Sequence, residues 1–184
     1  VSLHGAHQAD NAAIAVAAVE AFADAALPED LVVDVLGRIR SPGRLEVVGH
    51  APLIVLDGAH NVAGAQAFAR AMADEFPGAD RTLVVGLLRE KDPSEMLEAL
   101  GARDAARLVC CAPPSARARD PRELAEAARA MGIPAERIEV VHDVADAVDH
   151  AVAGTDAEGQ IVITGSLYVV GAARVALGVA RRPE

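Results

Sequence analysis

The sequence predicts an α/β protein: a mainly parallel sheet with one antiparallel edge strand, covered by helices on both faces. Three observations carry that reading. From Leu53 onward, short continuous apolar runs alternate with amphipathic helical stretches across short connections, the pattern of parallel strands buried on both sides. Hydrophobic residues make up 52% of the 184 but aromatics only 2%, so the core must be built from Ala, Val, Leu and Ile, which suits closely packed helices on a β-branched sheet. Just before Leu53, a strand-like Arg44–Gly49 is reversed by the short turn His50-Ala51-Pro52, and so short a turn favours an antiparallel pair.

Taken in order, residues 1–40 read as helix. Ile14, Ala17, Ala18 and Ala21 share one face of a helix running to about Ala25, and Pro28 opens a shorter one through Leu31, Val35 and Leu36. Two helices do not make a domain. Residues 1–40 are therefore expected to be the end of a preceding domain, with His7, Gln8 and Asn11 at the start of its last long helix. Ser41-Pro42-Gly43 is a breaker and marks the boundary, so that 41–184 form the domain proper. Strands are predicted at 53–57, 82–87, 108–111, 138–141 and 161–164. Helices are predicted at 62–75, with Ala65, Phe68, Ala69 and Met72 inward, and at 93–100, 121–131, 144–153 and 167–177.

Composition excludes several classes of function. A net charge of −10 and a pI near 5.0 argue against nucleic acid as a partner, because phosphate contacts need clustered Lys and Arg. No apolar stretch approaches a membrane span and the first residues lack the pattern of a signal peptide, so the expected compartment is the cytoplasm. Cys110 and Cys111 are adjacent within an apolar run, which predicts a reduced pair with at least one thiol in the core and no metal site. The chain has sixteen arginines and one lysine, Lys91, so that single ammonium is a candidate for a task a planar guanidinium would not perform.

In parallel sheets the working groups gather beyond the carboxyl ends of the strands. After the five parallel strands come Asp57 and His60, Lys91 and Asp92, Pro113-Pro114-Ser115, His142-Asp143, and Gly165-Ser166. Asp57-Gly58-Ala59-His60-Asn61 has a plain reading, in which Asp57 and Asn61 form a turn and cap a helix, and a functional one, in which helix-terminal amides, a carboxylate and an imidazole handle an anion. A carboxylate at the end of so deep a strand must be paired or ligated. Arg44 is either a solvated arginine or a phosphate-binding fork at a hinge. Lys91 either pairs with Glu90 or Asp92 or neutralises a phosphate or carboxylate. Ser166 is either an ordinary N-cap or a carboxylate donor beside helix-terminal amides. Tyr168 has no assignment, and His142 reads as a loop histidine. No Gly-x-Gly-x-x-Gly follows the first parallel strand and no Gly-Lys pair exists, so a triphosphate cradle is expected outside these residues.

Five motifs in this order and spacing resemble one family: His7-Gln8-x-x-Asn11, Ser41-Pro42-Gly43-Arg44-Leu45-Glu46, Leu56-Asp57-Gly58-Ala59-His60-Asn61, Lys91-Asp92, and Thr164-Gly165-Ser166-Leu167-Tyr168. They are similar to those of the folylpolyglutamate and dihydrofolate synthases of the Mur ligase superfamily. The resemblance implies a Rossmann-like C-terminal domain at 41–184, preceded by the closing helices of an ATPase domain. It implies an ATP-dependent ligase that joins L-glutamate to a folate or dihydropteroate carboxylate through an acyl phosphate. The P-loop and the Mg ligands would then lie upstream, leaving these 184 residues inactive alone.

Position by position, the resemblance implies that Asn11, Arg44 and Asp57 serve ATP, that His60 and Lys91 act in catalysis, and that Ser166 with His60 receives glutamate. If the site is completed across a cleft, Asp57 and His60 should be solvent-accessible and without a catalytic partner in the chain. Two other readings remain: a Mur-type ligase for another amino acid, and a non-catalytic module that binds a small anion.

Overall fold

The computed structural model describes residues 2–78 and 80–179. Two helices come first, α1 (Ala6–Ala23) and α2 (Glu29–Arg38), then β1 (Glu46–His50), β2 (Leu53–Leu56), α3 (Val62–Glu75), β3 (Arg81–Val85) and α4 (Pro93–Ala99). They are followed by β4 (Arg107–Cys110), α5 (Pro121–Ala130), β5 (Ile138–Val140), α6 (Val144–Ala153), β6 (Gln160–Thr164) and α7 (Leu167–Ala176). The six strands form one sheet in the order β1-β2-β6-β3-β4-β5. Among the strand pairs of the described residues only β1–β2 is antiparallel, so the predicted fold class holds.

Strand alternation splits the core in two. Val55, Leu83, Val85, Leu108, Cys110 and Val162 face α3, α4 and α5, while Leu56, Val84, Val109, Cys111, Ile161 and Ile163 face α6 and α7. Both cysteines are thus buried, one on each side of the sheet. Side chains close the helix starts: Asn61, Asp92, Asp120, Asp143 and Ser166 each accept a hydrogen bond from a first-turn amide, and Pro93 and Pro121 occupy initial positions where no amide is needed.

The structure departs from the sequence expectations in three places. The face of α1 carrying Ile14, Ala17, Ala18 and Ala21 is not covered; Ile14 is 68% exposed, and the one buried residue of the helix is Gln8. Periodicity locates an apolar face but supplies no surface to bury it. Arg44 and Leu45 lie before β1 rather than in it, because Leu45 takes a positive φ of 45° and spends its amide on a side chain. On α3, Ala71 enters the core where Ala69 was expected, and Ala69 is half-buried.

Chain direction at the strand ends positions the site. After β2, β3 and β4 the chain leaves for helices on one face of the sheet, and after β5 and β6 it leaves for helices on the other. Neighbouring strands therefore diverge at β2/β6, at β6/β3 and at β4/β5. Such points open a crevice where ligands can enter.

Candidate functional site

The first crevice is built around Asp57. Its amide extends the β2–β6 ladder to Ile163 O at 3.1 Å, which brings the carboxylate to the end of two buried strands. There Oδ2 accepts from Leu45 N at 2.9 Å and Oδ1 from Ala59 N at 2.8 Å. Burial pushes the Asp57 carboxyl up from its ordinary value, opposed by those two amides and by the nearby Arg44 and His7. Asp57 is only 9% exposed, so the expectation that it would be solvent-accessible is corrected. The backbone on both sides of it takes up its oxygens, as the turn reading required.

The same contacts hold the segment that carries Arg44. Gly58 N donates to Gly43 O at 2.7 Å, and Gly43 N donates to Glu46 Oε2 at 2.9 Å. Glu46 also pairs with Arg174, in the last turn of α7. Gly43 has a φ of 73°, and a Cβ there would stand 2.7 Å from Val170 Cγ1, so the turn needs glycine for both conformation and space. A Cβ on Gly58 would stand 2.4 Å from Leu167 Cδ2, which locks the Asp57 loop against the start of α7. The Arg44 side chain, by contrast, is exposed, and no ion pair to it is found among the described residues.

His60 is exposed, as expected, and its ring is oriented from within the loop. Nδ1 lies 2.9 Å from Gly58 O. A carbonyl can only accept, so Nδ1 carries the proton and Nε2 of the neutral ring presents its lone pair outward. Next to it, Asn61 caps α3 by accepting from Gly64 N at 2.8 Å.

Ser166 follows β6, the strand between β2 and β3, and is 2% exposed. Its Oγ accepts from Val169 N at 3.2 Å, so the N-cap reading holds in this conformation. The neighbouring Thr164 hydroxyl is fully buried and has no hydrogen-bond partner among the described residues. Sequence reasoning named Thr164 within a motif but gave its hydroxyl no role, because nothing in a strand-ending threonine signals an unmet hydroxyl.

Lys91, in the loop after β3, is half-buried. Glu90 pairs with Arg117 at 3.2 Å and Asp92 caps α4, so the proposed local partners are engaged elsewhere. No ion pair to Lys91 is found among the described residues. The loop is braced by Arg119, whose guanidinium donates to Lys91 O at 2.7 Å and to Arg89 O at 2.6 Å.

From the N-terminal side, His7, Gln8 and Asn11 form a chain of side-chain contacts. Gln8 Nε2 lies 3.0 Å from His7 Nε2, and Asn11 donates to Gln8 Oε1 at 3.3 Å. Glu75 of α3 anchors this region through Gly5 N at 2.5 Å and His4 Nδ1 at 2.6 Å. Asn11 itself is exposed. Among the described residues, no group of three or more His, Cys, Asp or Glu stands close enough to hold a metal ion, and no helix is long and apolar enough to cross a membrane.

The loops at these strand ends thus carry two cations without ion-pair partners among the described residues, an oriented imidazole and capped helix starts. Comparison with known proteins shows the family. The pattern of the family described as "Mur ligase, glutamate ligase domain" matches residues 43–167. The dihydrofolate synthase/folylpolyglutamate synthase of Mycobacterium tuberculosis is 40% identical over 193 aligned residues, covering 96% of this chain and 39% of that protein.

A crystal structure of the Mycobacterium tuberculosis folylpolyglutamate synthase with ADP and AMPPCP superposes with a TM-score of 0.85 at 39% identity, over 99% of this chain and 42% of that one. A bifunctional folylpolyglutamate synthase/dihydrofolate synthase with Mn, AMPPNP and L-glutamate bound gives a TM-score of 0.76 at 27% identity, over 88% and 37%. The chain spans about two fifths of the length of these relatives. It belongs to the Mur ligase family through its glutamate ligase domain, beside the folylpolyglutamate and dihydrofolate synthases.

Proposed function

We propose that the chain is the C-terminal part of an ATP-dependent ligase that adds L-glutamate to a folate or dihydropteroate carboxylate. Residues 41–184 act as the glutamate ligase domain, and residues 1–40 are the closing helices of an ATPase domain. The observation that carries the reading is the set of uncommitted groups on fixed loops: Arg44 and Lys91 without ion pairs, and His60 with Nε2 turned outward. The exposed apolar surface of α1 and α2 supports the division. Ile14, Val19, Phe22, Leu31, Val33, Val35 and Ile39 are all exposed, Phe22 by 94%. Their combined exposure equals about four fully exposed side chains, so at about 1.5–3 kcal/mol each, covering them offers roughly 6–12 kcal/mol of gross burial energy, which favours seating both helices on further polypeptide.

In this reading the γ-phosphoryl group of ATP passes to the substrate carboxylate, giving ADP and an acyl phosphate. Arg44 and Asn11 serve the nucleotide, Arg44 by offsetting phosphate charge. Asp57 serves it indirectly, by fixing the backbone from which Arg44 projects. Lys91 stabilises charge that develops on the transferring group. The glutamate amine attacks the acyl carbon, and the tetrahedral intermediate collapses with loss of phosphate. His60 Nε2 takes the proton that the amine sheds. Ser166 and the start of α7 receive a glutamate carboxylate once the Ser166 hydroxyl turns from its cap. The metal, Mg, has its ligands in the rest of the polypeptide. The compartment is the cytoplasm.

The test compares the 184-residue chain with the full-length protein that contains it, using ATP, L-glutamate and dihydropteroate or tetrahydrofolate. Only the full-length protein should form the amide, and Arg44→Ala in it should lower kcat/KM for ATP by about 10- to 1,000-fold. Steady turnover by the 184 residues alone, or equal use of D-glutamate or another amino acid by the full-length protein, refutes the assignment.

A further inference from the structure

A cavity with a volume of about 730 Å³ lies not at the Asp57 crevice but at the third divergence point, between the ends of β4 and β5. That is the size of pocket that holds a drug-sized ligand. It is formed where the chain after β4 turns to α5 on one face of the sheet and the chain after β5 turns to α6 on the other. This is the crevice in which open α/β sheets bind ligands.

Its walls have two characters. One is apolar: Pro113 and Pro114 on the β4 loop, with Val175 of α7 80% exposed across from them. The other is polar, with the Arg89 guanidinium beside Ser115 and His142. Arg89 donates from Nε to Ala118 O at 2.9 Å, which fixes its stem, and its terminal nitrogens have no partner among the described residues. The Ser115 hydroxyl accepts from Arg117 N at 3.2 Å and retains its own proton to donate. The two acids at the rim, Asp120 and Asp143, are turned to backbone amides as caps of α5 and α6, where the helix ends offset their charge. An inorganic anion would leave the proline and valine wall unmet, and an apolar molecule would leave Arg89 and His142 unmet. A chain of repeating ethylene stems and carboxylates meets both.

The cavity is also wired to the reactive loop. Arg119 forms part of its wall and holds the carbonyls of both Arg89 and Lys91. We propose that this cavity binds the polyglutamate tail of the folate substrate or product, its carboxylates on Arg89, Ser115 and His142 and its ethylene stems on Pro113, Pro114 and Val175. The proposal rests on the ligase reading above and adds a second glutamate-recognising site to it, separate from the one at His60 and Ser166.

The test uses the 184-residue chain and γ-linked tri-L-glutamate, followed by NMR of the His142 ring, the Arg89 Nε–H and the Val175 methyls. Saturable shifts at these three sites are expected, with at least 10-fold weaker binding in Arg89→Ala. Val175→Glu, which alters a side chain that is 80% exposed, should weaken binding by a similar factor. Shifts confined to His60, Lys91 and Ser166, a Kd weaker than about 1 mM, or equal binding of succinate and inorganic phosphate would overturn it. Failure here with intact ligation by the full-length protein removes the tail site alone. Tail binding without ligation removes the ligase reading alone.

Discussion

Replacing Asp57 by Asn separates the two jobs a buried carboxylate can do. In the native chain both oxygens accept amide protons, from Leu45 at 2.9 Å and from Ala59 at 2.8 Å. Asparagine keeps one acceptor but turns an NH₂ toward the other amide, so one buried N–H loses its partner. That loss costs about 1–3 kcal/mol. The variant also no longer buries a charge, which returns part of the cost, and a net destabilisation of about 1–2 kcal/mol follows. For a chain of this size, Tm should fall by roughly 2–8 °C.

The pH dependence has a definite sign. Burial raises the folded pKa of Asp57 above its unfolded value, so the folded state holds that proton more tightly. The resulting stability is fully present below the unfolded pKa and is lost as pH rises through the folded one. Native protein should lose stability across that window, and Asp57→Asn should lack that component of the slope. Hydrogen exchange at the Leu45 and Ala59 amides is the local readout, and one or both should lose protection. Unchanged Tm, unchanged protection and an unchanged pH profile together would refute the claim that Asp57 fixes the Arg44 segment.

The remaining predictions use the other contacts of the site. Arg174→Met should destabilise by about 1–3 kcal/mol, because it leaves the partly buried Glu46 without its cation, and the Glu46→Gln, Arg174→Met pair should cost less than the sum of the singles; additive denaturation energies would show the pair idle. Thr164→Val removes a buried hydroxyl that has no partner, so it should raise Tm by about 2–4 °C, and a fall would mean that the hydroxyl is satisfied in solution. Burial pushes both thiols up to about 12, so Cys110 and Cys111 should resist iodoacetamide at pH 8 in native protein and react after denaturation. Stoichiometric native labelling would contradict their burial.

Much of the fold was legible because it rests on local pattern. Apolar runs of strand length and helices opened by Asp92-Pro93 or Asp120-Pro121 announce themselves within a few residues, and their boundaries differ from expectation by one or two positions. What stayed hidden depends on separation in sequence. Nothing near Asp57 announces that its carboxylate is consumed by an amide twelve residues earlier, and nothing near Glu46 points to Arg174, 128 residues away. The apolar stripe of α1 was legible as a stripe, but whether it is covered depends on a surface that lies outside the pattern.

The candidate site divides along the same line. The exposed His60 and Arg44 and the half-buried Lys91 could be nominated from residue type and loop position, since their chemistry is in their own side chains. Asp57, Glu46, Gly43, Gly58 and Arg174 contribute by fixing other residues, and that role exists only in the folded geometry. The division has a chemical consequence. Because the backbone that carries Arg44 is bound on one side to Asp57 and on the other to Glu46 and Arg174, the guanidinium is presented from a position set before any ligand arrives. The side chain's freedom is then the main entropy left to lose on meeting a phosphate, about 0.5–1.5 kcal/mol for a rotamer-rich group, and the ordering of the loop adds little to it.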